Sequence, residues 1–153
     1  MGITHHRKVQ VEYWRLSEKS SRLGGIGGVI RNHNGDWIIG FISREAHVDP
    51  VLAEIRTLKQ GLLMAINHNL KPLDINTDSS QLITYLNHHN YHYSNLTLEC
   101  RSLMVKLGAT TPTHIFREQN QLADKLSKEG NNYTTFGHPT FWTTSPPFVT
   151  KLV

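Results

Sequence analysis

Asn34-Gly35 stands between two apolar runs, 25–31 and 37–43, and this leaves few options for the first third of the chain. Both turn residues tolerate positive φ, so the pair reads as a hairpin turn joining two antiparallel strands. Val9, Val11 and Tyr13 alternate with polar or larger residues ahead of it, which predicts a preceding strand and a three-stranded meander. A helix follows. Asp49 suits the N-cap and Pro50 the first helical position, and Leu52, Ile55, Leu58, Leu62, Ala65 and Ile66 recur at helical spacing. Leu73, Ile75 and Thr77 alternate with Asp74, Asn76 and Asp78, a strand ending in an acid. Ser79 or Ser80 caps a short helix through Leu82, Ile83 and Leu86, and another helix spans about 95–107. A last strand, 113–117, leads into a helix through Leu122, Ala123 and Leu126 that stops at Gly130. A meander followed by this alternation predicts an α/β fold. Its mixed five-stranded sheet has three antiparallel strands, then two parallel ones, and is flanked by helices.

One domain accounts for 153 residues, and 38% hydrophobic content excludes compositional disorder. The expected divisions are an N-terminal extension at 1–8, the domain at 9–130 and an extended tail at 131–153. Pro139, Pro146, Pro147 and many threonines suggest that the tail packs loosely or not at all. A net charge of +4 favours a polyanionic partner. The single cysteine, Cys100, excludes an internal disulfide, and its spacing from Leu96, Leu103, Met104 and Leu107 predicts a buried core thiol. No apolar run approaches the roughly 20 residues of a membrane helix. His5, His6, Arg7 and Lys8 are followed by no apolar segment of the kind a signal peptide carries. The expected setting is therefore intracellular, in cytoplasm, nucleus or an organelle, with no membrane and no secretion. The sequons at Asn95 and Asn132 are expected to stay idle.

Three acids stand where packing does not explain them. Glu54 lies at the edge of an apolar helix face, Asp78 at the C-terminal end of a core strand, and Asp124 in the first turns of the last helix. Brought to one end of a sheet, three carboxylates repel one another unless a divalent cation neutralises them, and hard oxygen donors suit Mg²⁺ or Mn²⁺. Each acid has a plainer reading. Glu54 can stabilise a helix dipole, Asp78 can cap the next helix, and Asp124 can pair with Lys128.

Four stretches in series carry a resemblance: GGIGGVIRNHNGDW (24–37), LAEIRTLKQGL (52–62), NTDS (76–79) and HIFREQNQLADKL (114–126). They resemble the plant reverse-transcriptase-like ribonuclease H domains, relatives of type-1 RNase H and of the RNase H of non-LTR retrotransposons. The resemblance implies an RNase H-like fold. It also implies hydrolysis of the RNA strand of an RNA–DNA hybrid by two metal ions, with Mg²⁺ or Mn²⁺ as cofactor and no small-molecule cofactor. Carried over by position, it makes Glu54, Asp78 and Asp124 metal ligands and catalytic residues. His114 falls where some relatives keep a histidine that helps product leave, the alternative being a half-buried strand histidine. A monomer is expected.

One departure stands out. The family carries Asp-Gly-Ser or Asp-Gly-Ala in its first strand, and that aspartate bridges both metals. Here Trp14-Arg15 falls near the expected place, and Glu12 shares the strand parity of Trp14 about 7 Å away. Loss of a bridging carboxylate weakens a site whose metals must sit about 4 Å apart. A catalytically inactive nucleic-acid-binding or protein-interaction relative is therefore the alternative function. Lys59, Arg101, Lys106, Arg117 and Lys125 are available to grip phosphates. Gly25-Ile-Gly-Gly is no dinucleotide loop, since Ile30 stands at the third glycine position. His88, His89 and His92 read as an exposed inter-helix loop.

Overall fold

The structure, a computed structural model, describes residues 12–46, 49–88, 93–132 and 136–152. Its strands are β1 (Trp14–Ser20), β2 (Gly25–Arg31), β3 (Trp37–Arg44), β4 (Leu73–Thr77), β5 (Thr113–His114) and β6 (Thr140–Trp142). Its helices are α1 (Pro50–Asn67), α2 (Ser80–Asn87), α3 (Ser94–Lys106) and α4 (Gln121–Gly130). The sheet runs β5-β4-β1-β2-β3-β6. β1, β2 and β3 form the expected antiparallel meander, while β4 joins β1 in parallel and β5 joins β4 in parallel.

The sheet has six strands rather than five, and the sixth comes from the stretch expected to trail away. β6 pairs antiparallel with β3 through Gly40↔Trp142, Phe41↔Phe141 and Ile42↔Thr140. The Trp37 indole donates to the Trp142 carbonyl at 2.9 Å. Val149 is fully buried against Val29, Ile42, Leu122 and Leu126. Apolar residues spaced between prolines are enough to hold an edge strand, so a proline-bearing composition misread this segment.

β1 also lies later than expected, at 14–20; Val9 and Val11 fall outside the described residues. Its buried face reads Leu16 and Glu18, so an acid interrupts the apolar alternation that locates strands. A tight connection, in which Ser21 donates to Gly25 at 2.7 Å and Gly24 to Ser21 at 3.2 Å, joins it to β2. β5 is only two residues long. The Ile115 amide still reaches the Thr77 carbonyl at 2.8 Å, and a 3₁₀ turn at Arg117–Gln119 then replaces the rest of the strand.

The local devices behave as the residue types demand. Asp49 caps α1 by accepting from the Leu52 amide at 2.9 Å, and Ser79 caps α2 by accepting from Leu82 at 3.1 Å. In the 32–36 turn only Gly35 takes positive φ, at 84°, while the Asn32 side chain accepts from the Asn34 and Asp36 amides. Cys100 is buried as expected, with its thiol directed at the Ile55 carbonyl and its pKa pushed up to about 12, chiefly by burial. No helix among the described residues is long and apolar enough to cross a membrane.

Two cores sandwich the sheet. Leu16, Ile26, Ile30, Ile39 and Phe41 pack with α1 and α3 on one face, and the smaller cluster around Leu122 and Leu126 of α4 fills the other. α4 comes unusually near β2 because β2 offers glycines on that face. A Cβ on Gly27 would lie 2.5 Å from the Leu126 Cβ and 2.7 Å from the Ser127 amide nitrogen. α4 ends at Gly130 as expected, and that glycine also serves close packing: a side chain there would strike the Ser43 carbonyl. Gly27→Ala should therefore cost about 1–3 kcal/mol in urea unfolding, because helix backbone, not a movable side chain, fills the space. A neutral result would show that α4 can slide on the sheet.

Candidate carboxylate and lysine site

The parallel pairing of β1 with β4 fixes what meets at the sheet's end. Trp14 pairs with Leu73 and Ser17 with Asn76, so the two strands finish together at Glu18-Lys19 and Thr77-Asp78. Strand alternation puts Leu16 and Glu18 toward α1 and Ser17 and Lys19 toward α4. Lys19 meets Asp78 directly. Its ammonium donates to both carboxylate oxygens, at 3.0 and 2.9 Å, with the side chains only 14% and 6% exposed. Asp78 therefore does not cap α2, a role that Ser79 fills.

On the other face Glu18 is fully buried. Neither of its carboxylate oxygens meets hydrogen-bond geometry with a partner among the described residues. Burial is the main reason its carboxyl is held well above the usual range. The negative charges of Glu54 and Asp78 push the same way, while the nearby Thr77 hydroxyl and Lys19 offset part of the shift. Glu54, on the first turns of α1, accepts from the Ser20 hydroxyl at 2.7 Å, and its second oxygen is buried without a partner among the described residues. Its carboxyl is raised mainly by burial, against the Ser20 hydrogen bond and the Lys19 charge. A cavity of about 650 Å³ opens beside it, lined in part by Ser20, Arg22, Gly24, Glu45 and Ala53.

Asp124 is not drawn into this group. It pairs with Lys128 at 2.9 Å along α4, the plainer of its two readings. It lies one turn beyond Asn120, a buried residue whose side-chain amide donates to the Glu18 carbonyl at 3.2 Å and ties the start of α4 to β1. His114 pairs with Thr77 on the edge strand and is exposed rather than half-buried, its ring edge-to-face with that of Phe116. Among the basic residues, Lys59 is engaged by Glu99 at 2.6 Å and Lys125 by Glu129 at 3.6 Å. Of the three neighbouring histidines, His88 is exposed at the end of α2, while His89 and His92 lie outside the described residues.

Comparison with known proteins places this geometry. A family model described as reverse transcriptase-like matches residues 15–130. The chain belongs to the reverse transcriptase-like family. A protein of Arabidopsis thaliana named "Putative ribonuclease H protein" is 27% identical over 122 residues, which is 78% of this chain and 20% of that one. The chain thus spans about a fifth of that relative's length. The crystal structure of RNase H1 from Halobacterium salinarum superposes with a TM-score of 0.68 at 17% identity, covering 79% of this chain and 97% of that one. The N-terminal RNase H domain of a Mycobacterium tuberculosis protein gives 0.68 at 16% identity, covering 79% and 93%. An RNase H1 in complex with an RNA/DNA hybrid gives 0.65 at 16% identity, covering 79% and 96%. The fold is RNase H-like.

Within this family frame, the first-strand position falls elsewhere than expected from sequence. Trp14 sits at the far end of β1 from Asp78, and Glu12 is exposed beyond it. The β1 residues that reach the site are Glu18 and Lys19, neither singled out from sequence. Counting back from Gly25 through a four-residue turn would have found them, whereas the expected longer connection placed the strand too early. β1 contains no aspartate among its seven residues.

The divalent-metal chemistry implied by the resemblance meets oxygen donors of the right hardness but the wrong arrangement. Lys19 holds both oxygens of Asp78, and Glu18 is carried on the opposite face. Among the described residues no three His, Cys, Asp or Glu side chains are grouped to hold a metal ion. As arranged, the residues do not fit a two-metal centre.

The buried Glu18 also sets a pH dependence. Its raised carboxyl means that the folded chain keeps a proton which the unfolded chain releases. The stability this lends is full below the ordinary glutamate value and lost as pH rises through the raised one. Glu18→Gln should therefore raise Tm at pH 8 by on the order of a few °C, with the gain shrinking toward pH 4. A pH-independent difference in thermal unfolding would assign the effect to packing instead.

Proposed function

We propose that this chain is a nucleic-acid-binding RNase H-like domain that takes RNA–DNA hybrid and does not hydrolyse it. The Lys19–Asp78 pair carries this reading: a positive charge is fixed on the carboxylate that two-metal hydrolysis would need free. Recognition of hybrid runs through phosphates and RNA 2′-hydroxyls, with little reading of base sequence. The end of the sheet holding Asp78 offers suitable groups. Arg117 and Phe116 are exposed there, next to His114, and the cavity beside Glu54 is bordered by Arg22. In this reading His114 is a contact residue rather than a proton carrier.

The second reading is an active RNA–DNA hybrid ribonuclease using Mg²⁺ or Mn²⁺. Family membership and the approach of Glu54 to Asp78 favour it, and it requires Lys19 to leave Asp78 when hybrid binds. A labelled hybrid separates the two. Binding without cleavage in either metal, weakening steeply with salt, is the expected outcome, and Arg117→Ala should reduce the slope of log affinity against log salt by about 1. Cleavage that disappears in Asp78→Asn would establish the second reading. Absence of binding at low salt would remove both.

A further inference from the structure

We propose that Lys19 is a tethered replacement for a divalent cation, neutralising the acidic end of the sheet and making the domain indifferent to Mg²⁺ and Mn²⁺. The inference concerns the same site and rests on the reading of this chain as an RNase H-like domain, but not on hybrid binding itself. Two observations support it. The lysine ammonium contacts both Asp78 oxygens at 2.9–3.0 Å, so one cation satisfies the carboxylate on both sides. The pair is largely closed to water, at 14% and 6% exposure, where exchange for a hydrated ion is costly.

The lysine sits at the place where the sheet brings β1 and β4 together, so its stem needs no long reach. Being covalently attached, it pays no entropy of capture, whereas a free ion must compete for oxygens already taken. An incoming Mn²⁺ would meet a like charge a few ångströms away. Removal of that charge leaves both oxygens of Asp78 without their cation, and the opened site then gains from any hard divalent ion.

The test uses the full chain and Mn²⁺ alone, read by titration calorimetry and by the shift of the thermal midpoint. The native protein should bind no Mn²⁺ at this site and show no shift. Lys19→Met keeps the length of the side chain and removes its charge; it should bind Mn²⁺ at least about tenfold more tightly and be stabilised by it. Adding Asp78→Asn to Lys19→Met should abolish the gain, while Lys19→Arg should remain indifferent to the ion. If Lys19→Met does not fold, Lys19→Gln provides the same readout. Equal Mn²⁺ affinity in native protein and folded variant would overturn the proposal, as would a gain that survives loss of Asp78. Hybrid binding by the native chain without divalent ions is measured alongside. Its failure with the Mn²⁺ gain intact discards the hybrid reading and leaves the lysine assignment standing.

Discussion

β1 is the member on which the other parts depend. It is the strand at which the sheet changes from antiparallel to parallel, hydrogen-bonded to β2 on one side and β4 on the other. Its two faces serve different cores, with Leu16 packed under α1 and the opposite face covered by α4. The same alternation that splits its side chains between cores splits its polar residues too. Glu18 is sent into the α1 side, and Lys19 to the side where Asp78 waits. Any change in the pairing of β1 with β4 by one residue would exchange these two roles, placing a lysine in the core and a glutamate against an aspartate.

That exchange explains why the site mixes strain and relief. Glu18 occupies a fully buried core position beside the charges of Glu54 and Asp78, offset only in part by the Thr77 hydroxyl and Lys19, an arrangement that costs stability at neutral pH. One residue away, the Lys19 ammonium pairs with Asp78 and eases the charges of Glu18 and Glu54. A carboxylate cluster and its neutralising charge thus come from adjacent residues of one strand. The RNase H-like scaffold thus carries, at the end of its central strand, a lysine bound to the acid that ends β4.

Much of this was legible in the sequence, and the parts that were not share a cause. The hairpin, the Asp49-Pro50 start of α1, the Ser79 cap and the buried Cys100 follow from local residue chemistry, and the structure contains each of them. Glu54 and Asp78 were identifiable because an acid at the edge of an apolar face or at a strand end has no packing purpose. β1 was misplaced because its diagnostic alternation contains Glu18, and an acid in a buried position looks like solvent exposure. Lys19 was missed because a lysine after a glutamate reads as an ordinary solvated pair. Only the parallel register with β4 shows that it faces Asp78. Asp124 keeps a local partner, and nothing in its own sequence neighbourhood distinguishes that from a longer-range role.

The brevity of the outer strands has a consequence for how copies of this chain meet one another. β5 contributes two residues and β6 three, the latter followed closely by Pro146 and Pro147, so neither margin of the sheet offers a long row of open amides and carbonyls. β3, eight residues long and largely apolar, would be the most hazardous margin if bare, and the segment carrying β6 lies along it. A chain trimmed before Thr140 would expose that margin as a template for unwanted strand pairing, so the segment contributes to solubility as well as to stability.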